Sequence, residues 1–505
     1  MNDFSSKNDF RIKIDFPIEV DFQINREQLK KTAARCREQG IVIPTLQQMK
    51  DPGLIPEAIT EDLTEIGLWE IHPRNLFRIT WKNEPRPRGG GFGEANTVVF
   101  PPELTGVKPE IIGLVGKWFP TGTHKVGATF GCLVPRLVTG QFDPTAQKAV
   151  WPSTGNYCRG GAYVSTLLGC QSIAILPEGM SRERFEWLSN LAGEVIATPG
   201  SESNVKEIFD KCDELEATRE DIVIFNQFDE IGNHLWHYVV TGNAMEEILK
   251  GELQRGKRFA GVVLSSGSSG TLGCGDYLKE KFPTSKVAVS EALQCPTLLM
   301  NGFGAHRIEG IGDKHVPWIH NLRNTDMVIA IDDEHAIRLL RLFNEPAGRD
   351  FLGDQGVAAD LLERLDSLGI SSICNLLTAI KFAKYYELDE NDVVLTVFTD
   401  SLELYISRLE ELREQRGEYT HTNASRDFEL LQGIGTDWTC ELGHYDRKRI
   451  HNLKYFTWIE QQGKDLKELN AQWYDYGDYW GAIHALEPKI DELIQQFNRE
   501  VGIEL

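Results

Sequence analysis

The sequence predicts an α/β protein, a parallel sheet covered on both faces by helices, with a helical extension after it. Three observations carry that prediction. From about residue 110 to 400, short β-branched runs alternate with amphipathic stretches, and strand–helix–strand repetition builds parallel sheets. The rhythm stops at Asp400, after which 402–416 and 486–500 carry helical patterning. The composition, 41% hydrophobic, 25% charged and 10% aromatic, is that of a folded chain rather than a disordered one. At 505 residues the chain exceeds one domain of about 100–200 residues, so two or three units are expected.

In chain order, residues 1–30 alternate loosely (Phe10, Ile12, Ile14, Phe16, Ile18, Val20, Phe22) and predict an extended arm or short strands. Residues 27–40 read as a helix, and the Pro- and Gly-rich 83–93 as a loop. The strands are then Ile111–Gly116, Lys148–Pro152, Ser172–Leu176, Glu194–Thr198, Ile222–Gln227, Gly261–Ser265, Lys286–Ser290, Met327–Ile331 and Val393–Phe398. Helical stretches such as Arg182–Ala192 and Val205–Leu215 separate them. Two sheets, or one long one, fit this order. Residues 433–482 carry many aromatics, expected to pack the extension onto the main body.

Charge and composition exclude several classes. The balance of 53 Lys+Arg against 75 Asp+Glu gives −22, a field that repels phosphate backbones and anionic lipid, so no nucleic-acid or membrane partner is expected. No run approaches the ~20 apolar residues of a membrane span. The N-terminus shows no signal-peptide core. The nine cysteines form no C-x-x-C pair and read as reduced thiols of a cytoplasmic protein.

Sites in α/β proteins collect where parallel strands hand over to loops and helix N-termini. Four such junctions stand out. Ser265-Ser266-Gly267-Ser268-Ser269-Gly270-Thr271 leads into a helix from Leu272 to Lys281. Its small residues let backbone N–H groups turn inward as a phosphate cradle, and the missing Walker lysine argues against a nucleoside triphosphate. Thr123-His124-Lys125-Val126-Gly127-Ala128 places a lysine at the start of an apolar helix, where desolvation favours a neutral, nucleophilic amine. Ser153-Thr154-Gly155-Asn156 offers donors at a helix start, suited to a carboxylate. Thr399-Asp400-Ser401 ends a strand in a polar trio.

Together and in this order, the four junctions resemble the fold-type II pyridoxal-phosphate enzymes, the superfamily of cysteine synthase, cystathionine β-synthase and the tryptophan synthase β chain. The resemblance covers about residues 117–408. It implies two parallel-sheet αβα subdomains: a large cofactor-binding unit of 111–152 and 246–401, and a small mobile substrate unit of 153–245. Residues 1–110 form the arm and the start of the large unit, and 402–505 the extension. It also implies that Lys125 is the catalytic, Schiff-base lysine. Asn156, Gly267, Ser268, Ser269, Gly270, Thr271 and Ser401 join it in binding pyridoxal 5'-phosphate, with Ser401 at the pyridine nitrogen. Ser153, Thr154, Gly155 and Gln227 hold the substrate, and Glu309-Gly310-Ile311-Gly312 is similar to the family's active-site wall. Ser268 and Ser269 stand where the family has Thr and Gly, and Tyr157-Cys158 replaces its usual pair after the Asn. Arg159-Gly160 is similar to the ammonia-lyase form of the loop. Neither haem-binding nor paired regulatory domains are evident.

The activity so implied is chemistry at Cβ of a small amino acid. Lys125 acts as base once the substrate displaces it, and a neutral hydroxyl at the ring nitrogen favours loss of a β-leaving group over transamination. The aminoacrylate product then accepts a nucleophile (β-replacement, as in cysteine synthase) or hydrolyses (β-elimination). A third reading is the cofactor-bearing subunit of a two-component enzyme. A homodimer is the family habit. No metal is expected: His234 and His237 lie i,i+3 but lack a third ligand in sequence, so packing or solvent is preferred. Cys158 reads as a small filler at a helix start.

Overall fold

The computed structural model describes residues 13–15, 19–87 and 89–503. Its strands run β1 (Lys13–Asp15), β2 (Glu19–Asp21), β3 (Thr97–Phe100), β4 (Glu110–Val115), β5 (Lys148–Pro152), β6 (Gln171–Pro177), β7 (Glu194–Thr198), β8 (Ile222–Ile224), β9 (Arg258–Ser265), β10 (Lys286–Ala292), β11 (Met327–Ile331), β12 (Asp392–Phe398) and β13 (Thr439–Glu441). Two parallel-sheet layers result. A seven-stranded sheet has the order β13-β11-β10-β9-β12-β4-β3, and a four-stranded sheet the order β7-β6-β5-β8. Neighbours are parallel throughout the small sheet. They are also parallel from β11 to β4 in the large one, where only the edge strands β3 and β13 run antiparallel.

Each predicted strand is present, and the deviations have physical causes. The edge strands β3 and β13 lie outside the strand–helix rhythm, so periodicity did not mark them. The run from Ile222 leaves the sheet after Ile224, because Asn226 turns the chain by accepting from the Phe228 amide at 3.1 Å. The sheet boundary also corrects the unit boundary. Strand β5, assigned by sequence to the large unit, pairs with β6 and β8 in the small sheet. Of the N-terminal arm, β1 and β2 pair antiparallel; residues 1–12 and 16–18 lie outside the described residues.

Burial follows the layers. Every residue of β11 and β12 is buried, as expected of parallel strands covered on both faces. Helix Ile370–Tyr385 behind them is buried from Ile370 to Ala383, Ser371, Ser372, Asn375, Thr378 and Lys381 included. Helix Lys125–Val138 packs against helix Ile231–Trp236. Gly131 and Gly232 meet backbone to backbone there, and a Cβ on either would lie within 2.4 Å of the other's carbonyl oxygen.

Helix Glu487–Val501 packs on helix Arg26–Glu38 and on helix Lys125–Val138. Its Asp491 carboxylate accepts from the Leu46 and Gln47 amides at 2.6 and 3.1 Å, satisfying N–H groups that open the helix Leu46–Lys50. The aromatic extension packs largely as expected. Trp458, Tyr479 and Trp480 are buried, although Tyr445 and Tyr474 face solvent. Among the described residues no helix is long and apolar enough to cross a membrane.

Candidate active site

Lys125 opens its helix at the seam between the two sheets. Its Nζ donates to Ser268 Oγ at 2.9 Å and Gln227 Oε1 at 3.3 Å. Burial drives the amine down to about 8, since an apolar surround disfavours the ammonium form. Narrow cavities of about 20 Å³ flank this lysine, one toward Asn156, Glu202 and Gln227, the other toward the 265–271 loop and Thr399. A groove of about 890 Å³ lies elsewhere, between Arg136, Glu230 and Lys464. Chemistry and not size singles out the lysine site.

The loop after β9 has the form of an anion cradle. Among the described residues, the amides of Gly267, Ser268, Ser269 and Thr271 donate to no protein acceptor. They precede helix Leu272–Lys281, whose N-terminal partial charge favours a phosphate. Gly270 is required by space, because a Cβ there would run into the Asn233 amide. Ser269 keeps the left-handed backbone (φ +61°) at the position where the resembling family has glycine, at a cost of about 1–2 kcal/mol. Asn233 braces the loop by donating to Ser268 Oγ at 3.1 Å and to the Gln227 carbonyl at 2.9 Å. Sequence reading passed over Asn233, and only the packing of helix 231–236 reveals it.

The Ser153–Asn156 loop faces Lys125 from the small sheet, and Ser153, Thr154, Asn156 and Gln227 all line one cavity with the lysine. Asn156 donates from Nδ2 to Asp400 Oδ2 at 2.6 Å, and its Oδ1 has no partner. Asp400 also accepts from Tyr405 at 2.8 Å. Thr154 donates to Glu202, whose carboxyl burial lifts to about 8 against the opposing pull of Arg184 and Thr154. Arg184 joins Glu309, the Thr154 carbonyl and Tyr405. Glu202, Arg184 and Tyr405 were missed in the sequence because lone Glu, Arg and Tyr residues in loops and helices carry no signal of burial.

One sequence assignment is displaced. Ser401 is buried but lies outside the walls of both cavities, whereas Thr399 lines the cavity shared with Lys125 and the phosphate loop. Thr399 is the first residue past β12, so its side chain stands at the strand end, and Ser401 caps the 3-10 turn Leu402–Leu404. The Thr399 hydroxyl lies 3.2 Å from His124 Nε2. His124 is kept neutral because burial, then the nearby Lys125, push it well below its ordinary value.

Two other residues singled out by sequence separate here. Cys158 Sγ lies 2.9 Å from the Gly155 carbonyl, and burial pushes the thiol up to about 12, so it fills space as expected. His237 turns to Thr241, its Nδ1 2.8 Å from Oγ1, while His234 faces His484.

The donor set fits pyridoxal phosphate: free loop amides for the phosphate, a buried amine for the aldehyde, and an Asn and a hydroxyl on the intervening walls. Comparison with known proteins agrees. Residues 119–400 match the family model "Pyridoxal-phosphate dependent enzyme". The chain is 25% identical over 375 residues to cystathionine beta-synthase of Saccharomyces cerevisiae, covering 72% of this chain and 70% of the relative. It is 30% identical over 289 residues to a probable cysteine synthase of Bacillus subtilis, covering 57% and 85%. Among solved structures, cysteine synthase from Entamoeba histolytica superposes with a TM-score of 0.55 at 21% identity, covering 67% of this chain and 93% of that one. A hydrogen sulfide-producing enzyme from Fusobacterium nucleatum gives 0.53 at 20%, covering 70% and 100%. With more than half its length inside the family model and its lysine, loops and sheets so arranged, the chain belongs to the fold-type II pyridoxal-phosphate-dependent enzymes of amino-acid metabolism.

Proposed function

We propose that the protein catalyses β-replacement on a small amino acid, in the manner of a cysteine synthase. The observation that carries this reading is the pairing of a buried amine with a buried acid around one cavity: Lys125, lowered to about 8, and Glu202, raised to about 8. Relatives named cysteine synthase and cystathionine beta-synthase support the same chemistry.

Bound pyridoxal phosphate supplies the electron sink for the pair left when the Cα proton departs. The chain's own residues do the rest. The loop 267–271 would hold the phosphate group and Lys125 the aldehyde, and the Lys125 Nζ, which donates to Ser268 Oγ, would take the Cα proton. The start of helix Asn156–Leu167, with Ser153, Thr154 and Gln227, orients a carboxylate. Glu202, protonated at neutral pH, holds a proton for a poor leaving group at Cβ such as hydroxide, whereas acetate leaves without one. Thr399, a neutral hydroxyl on the cavity wall, would face the pyridine nitrogen in the role first assigned to Ser401. A homodimer in which the small unit closes over the substrate belongs to the same proposal.

The test is to give the purified holoenzyme O-acetylserine with and without sulfide, with serine, cysteine and diaminopropionate as alternative substrates. Cysteine formed from O-acetylserine and sulfide, with pyruvate suppressed, is the expected result. Pyruvate and ammonia released at one rate whether or not sulfide is present would make the enzyme a β-eliminating lyase and overturn replacement.

A further inference from the structure

Behind the phosphate loop, a second cluster of polar groups converges that the proposed chemistry does not use. His234 Nε2 and His484 Nε2 lie 3.1 Å apart, and Asp276 Oδ2 lies 3.6 Å from the first and 3.8 Å from the second. The residues come from helices Ile231–Trp236, Leu272–Lys281 and Tyr476–His484. Three ligand atoms on a tetrahedral zinc ion, with bonds of about 2.0–2.1 Å, stand about 3.3 Å from one another. The observed triangle is close to that spacing.

The surroundings point the same way. Glu280 Oε1 lies 3.0 Å from His484 Nδ1. With Nδ1 turned to that carboxylate, Nε2 faces the centre. A carboxylate bonded to the outer nitrogen of a histidine is also the usual support for a metal ligand. Asp276 is held by Asn321 on Oδ2 at 2.7 Å and Asn324 on Oδ1 at 2.8 Å. The three ligand atoms lie within 4.8 Å of one another, on two buried residues and one nearly so. His484 retains some exposure beside the half-exposed Glu280, which leaves a way in for an ion.

We propose that His234, Asp276 and His484 bind one divalent transition-metal ion of the zinc class, with water as the fourth ligand, and so clamp the C-terminal extension to the two helices behind the phosphate loop. Asp276 lies in the helix that the loop opens, and His234 follows Asn233, the residue bracing Ser268. The expectation that no metal binds is thereby revised. The i,i+3 pair His234 and His237 does not supply the ligands, and the partners come from far along the chain.

The test uses the full-length holoenzyme, stripped with a chelator and titrated with zinc chloride, then with cobalt(II) as an optical probe. Elemental analysis should show about one zinc per chain, heat resistance should rise with zinc, and cobalt should give tetrahedral d–d bands. His484→Gln should lose the stoichiometric ion and those bands, while Glu280→Gln should weaken zinc about 10- to 100-fold. Far-UV circular dichroism and full cofactor absorbance report whether each variant is folded. Should His484→Gln not fold, X-ray absorption of the zinc-loaded wild type decides: two imidazoles with oxygen ligands support the site, while all-oxygen or sulfur ligation overturns it. No stoichiometric uptake by the wild type, showing a proton alone shared between the imidazoles, or equal uptake by a folded His484→Gln, overturns it too.

Discussion

The two sheets hold the same kind of strand in different surroundings. In the seven-stranded sheet, β12 is buried along its whole length, and the elements at both ends of the described chain pack around the lysine helix. In the four-stranded sheet, edge strand β7 has only Thr198 fully buried, and the unit meets the extension through an apolar cluster of Val205, Phe209 and Phe228 with Trp458 and Leu469 as well as through polar contacts. Glu183 accepts from the Ser407 amide and hydroxyl, and Arg182 pairs with Glu410. The large sheet carries the amine and the phosphate cradle. The small one carries the residues proposed to meet substrate, Ser153–Asn156, Glu202 and Gln227. Exposed polar contacts open at lower cost than packed apolar ones, so the Arg182–Glu410 pair is expected to part before the Phe209–Trp458 contact.

The largest expected effect is at the seam. Lys125→Ala should cut turnover by about 10³-fold or more, since it removes both the covalent anchor and the base. Borohydride treatment followed by peptide mapping should find a pyridoxyl adduct at position 125 in the wild type. An adduct on another lysine would break the comparison at its centre. Next comes the acid of the small unit. Glu202→Gln should lower turnover of serine, whose hydroxide leaving group needs a proton, by about 10²- to 10³-fold. The carboxyl must be protonated to act, so wild-type turnover should fall as pH rises through about 8, and the variant should lose that alkaline limb. An unchanged pH profile in the variant would remove Glu202 from the chemistry.

A third measurement addresses motion directly. We expect amides of β5–β8 and their helices to exchange about 10-fold more slowly when a substrate amino acid is bound, while β9–β12 change little. Equal protection of both sheets with and without the amino acid would show that these contacts do not open, and the small unit would then be a fixed wall.

The contrast between sheets also explains what the sequence disclosed. Strand–helix alternation marked the parallel strands because buried strands need β-branched runs, and the strand-end loops marked Lys125, Asn156 and 267–271 because small residues at such ends have few other uses. Antiparallel β3 and β13 lack that rhythm and escaped. Strand β5 was assigned to the wrong sheet because its sequence is apolar in either setting, and sheet membership is a matter of partners. Glu202, Arg184 and Asn233 act through burial, and His234, Asp276 and His484 through convergence. Neither property has a local pattern.

The smallest expected effect separates two hydroxyls in one short turn. Ser401 was chosen by motif, Thr399 by position on the cavity wall. Thr399→Ala removes one hydrogen-bonding group of about 1 kcal/mol from the holosite, so cofactor affinity should fall about 5-fold and the cofactor's absorbance band should shift. Thr399→Ser, which keeps the hydroxyl, should restore both. Ser401→Ala should leave the band in place, because that side chain does not reach the cavity. The distinction also bears on rigidity. Thr399 stands at the end of fully buried β12 with its oxygen near His124, so the group proposed at the ring nitrogen belongs to the large sheet. If Ser401→Ala shifts the band and Thr399→Ala does not, the turn after β12 rearranges when the cofactor binds. The large sheet would then share the mobility assigned to the small one.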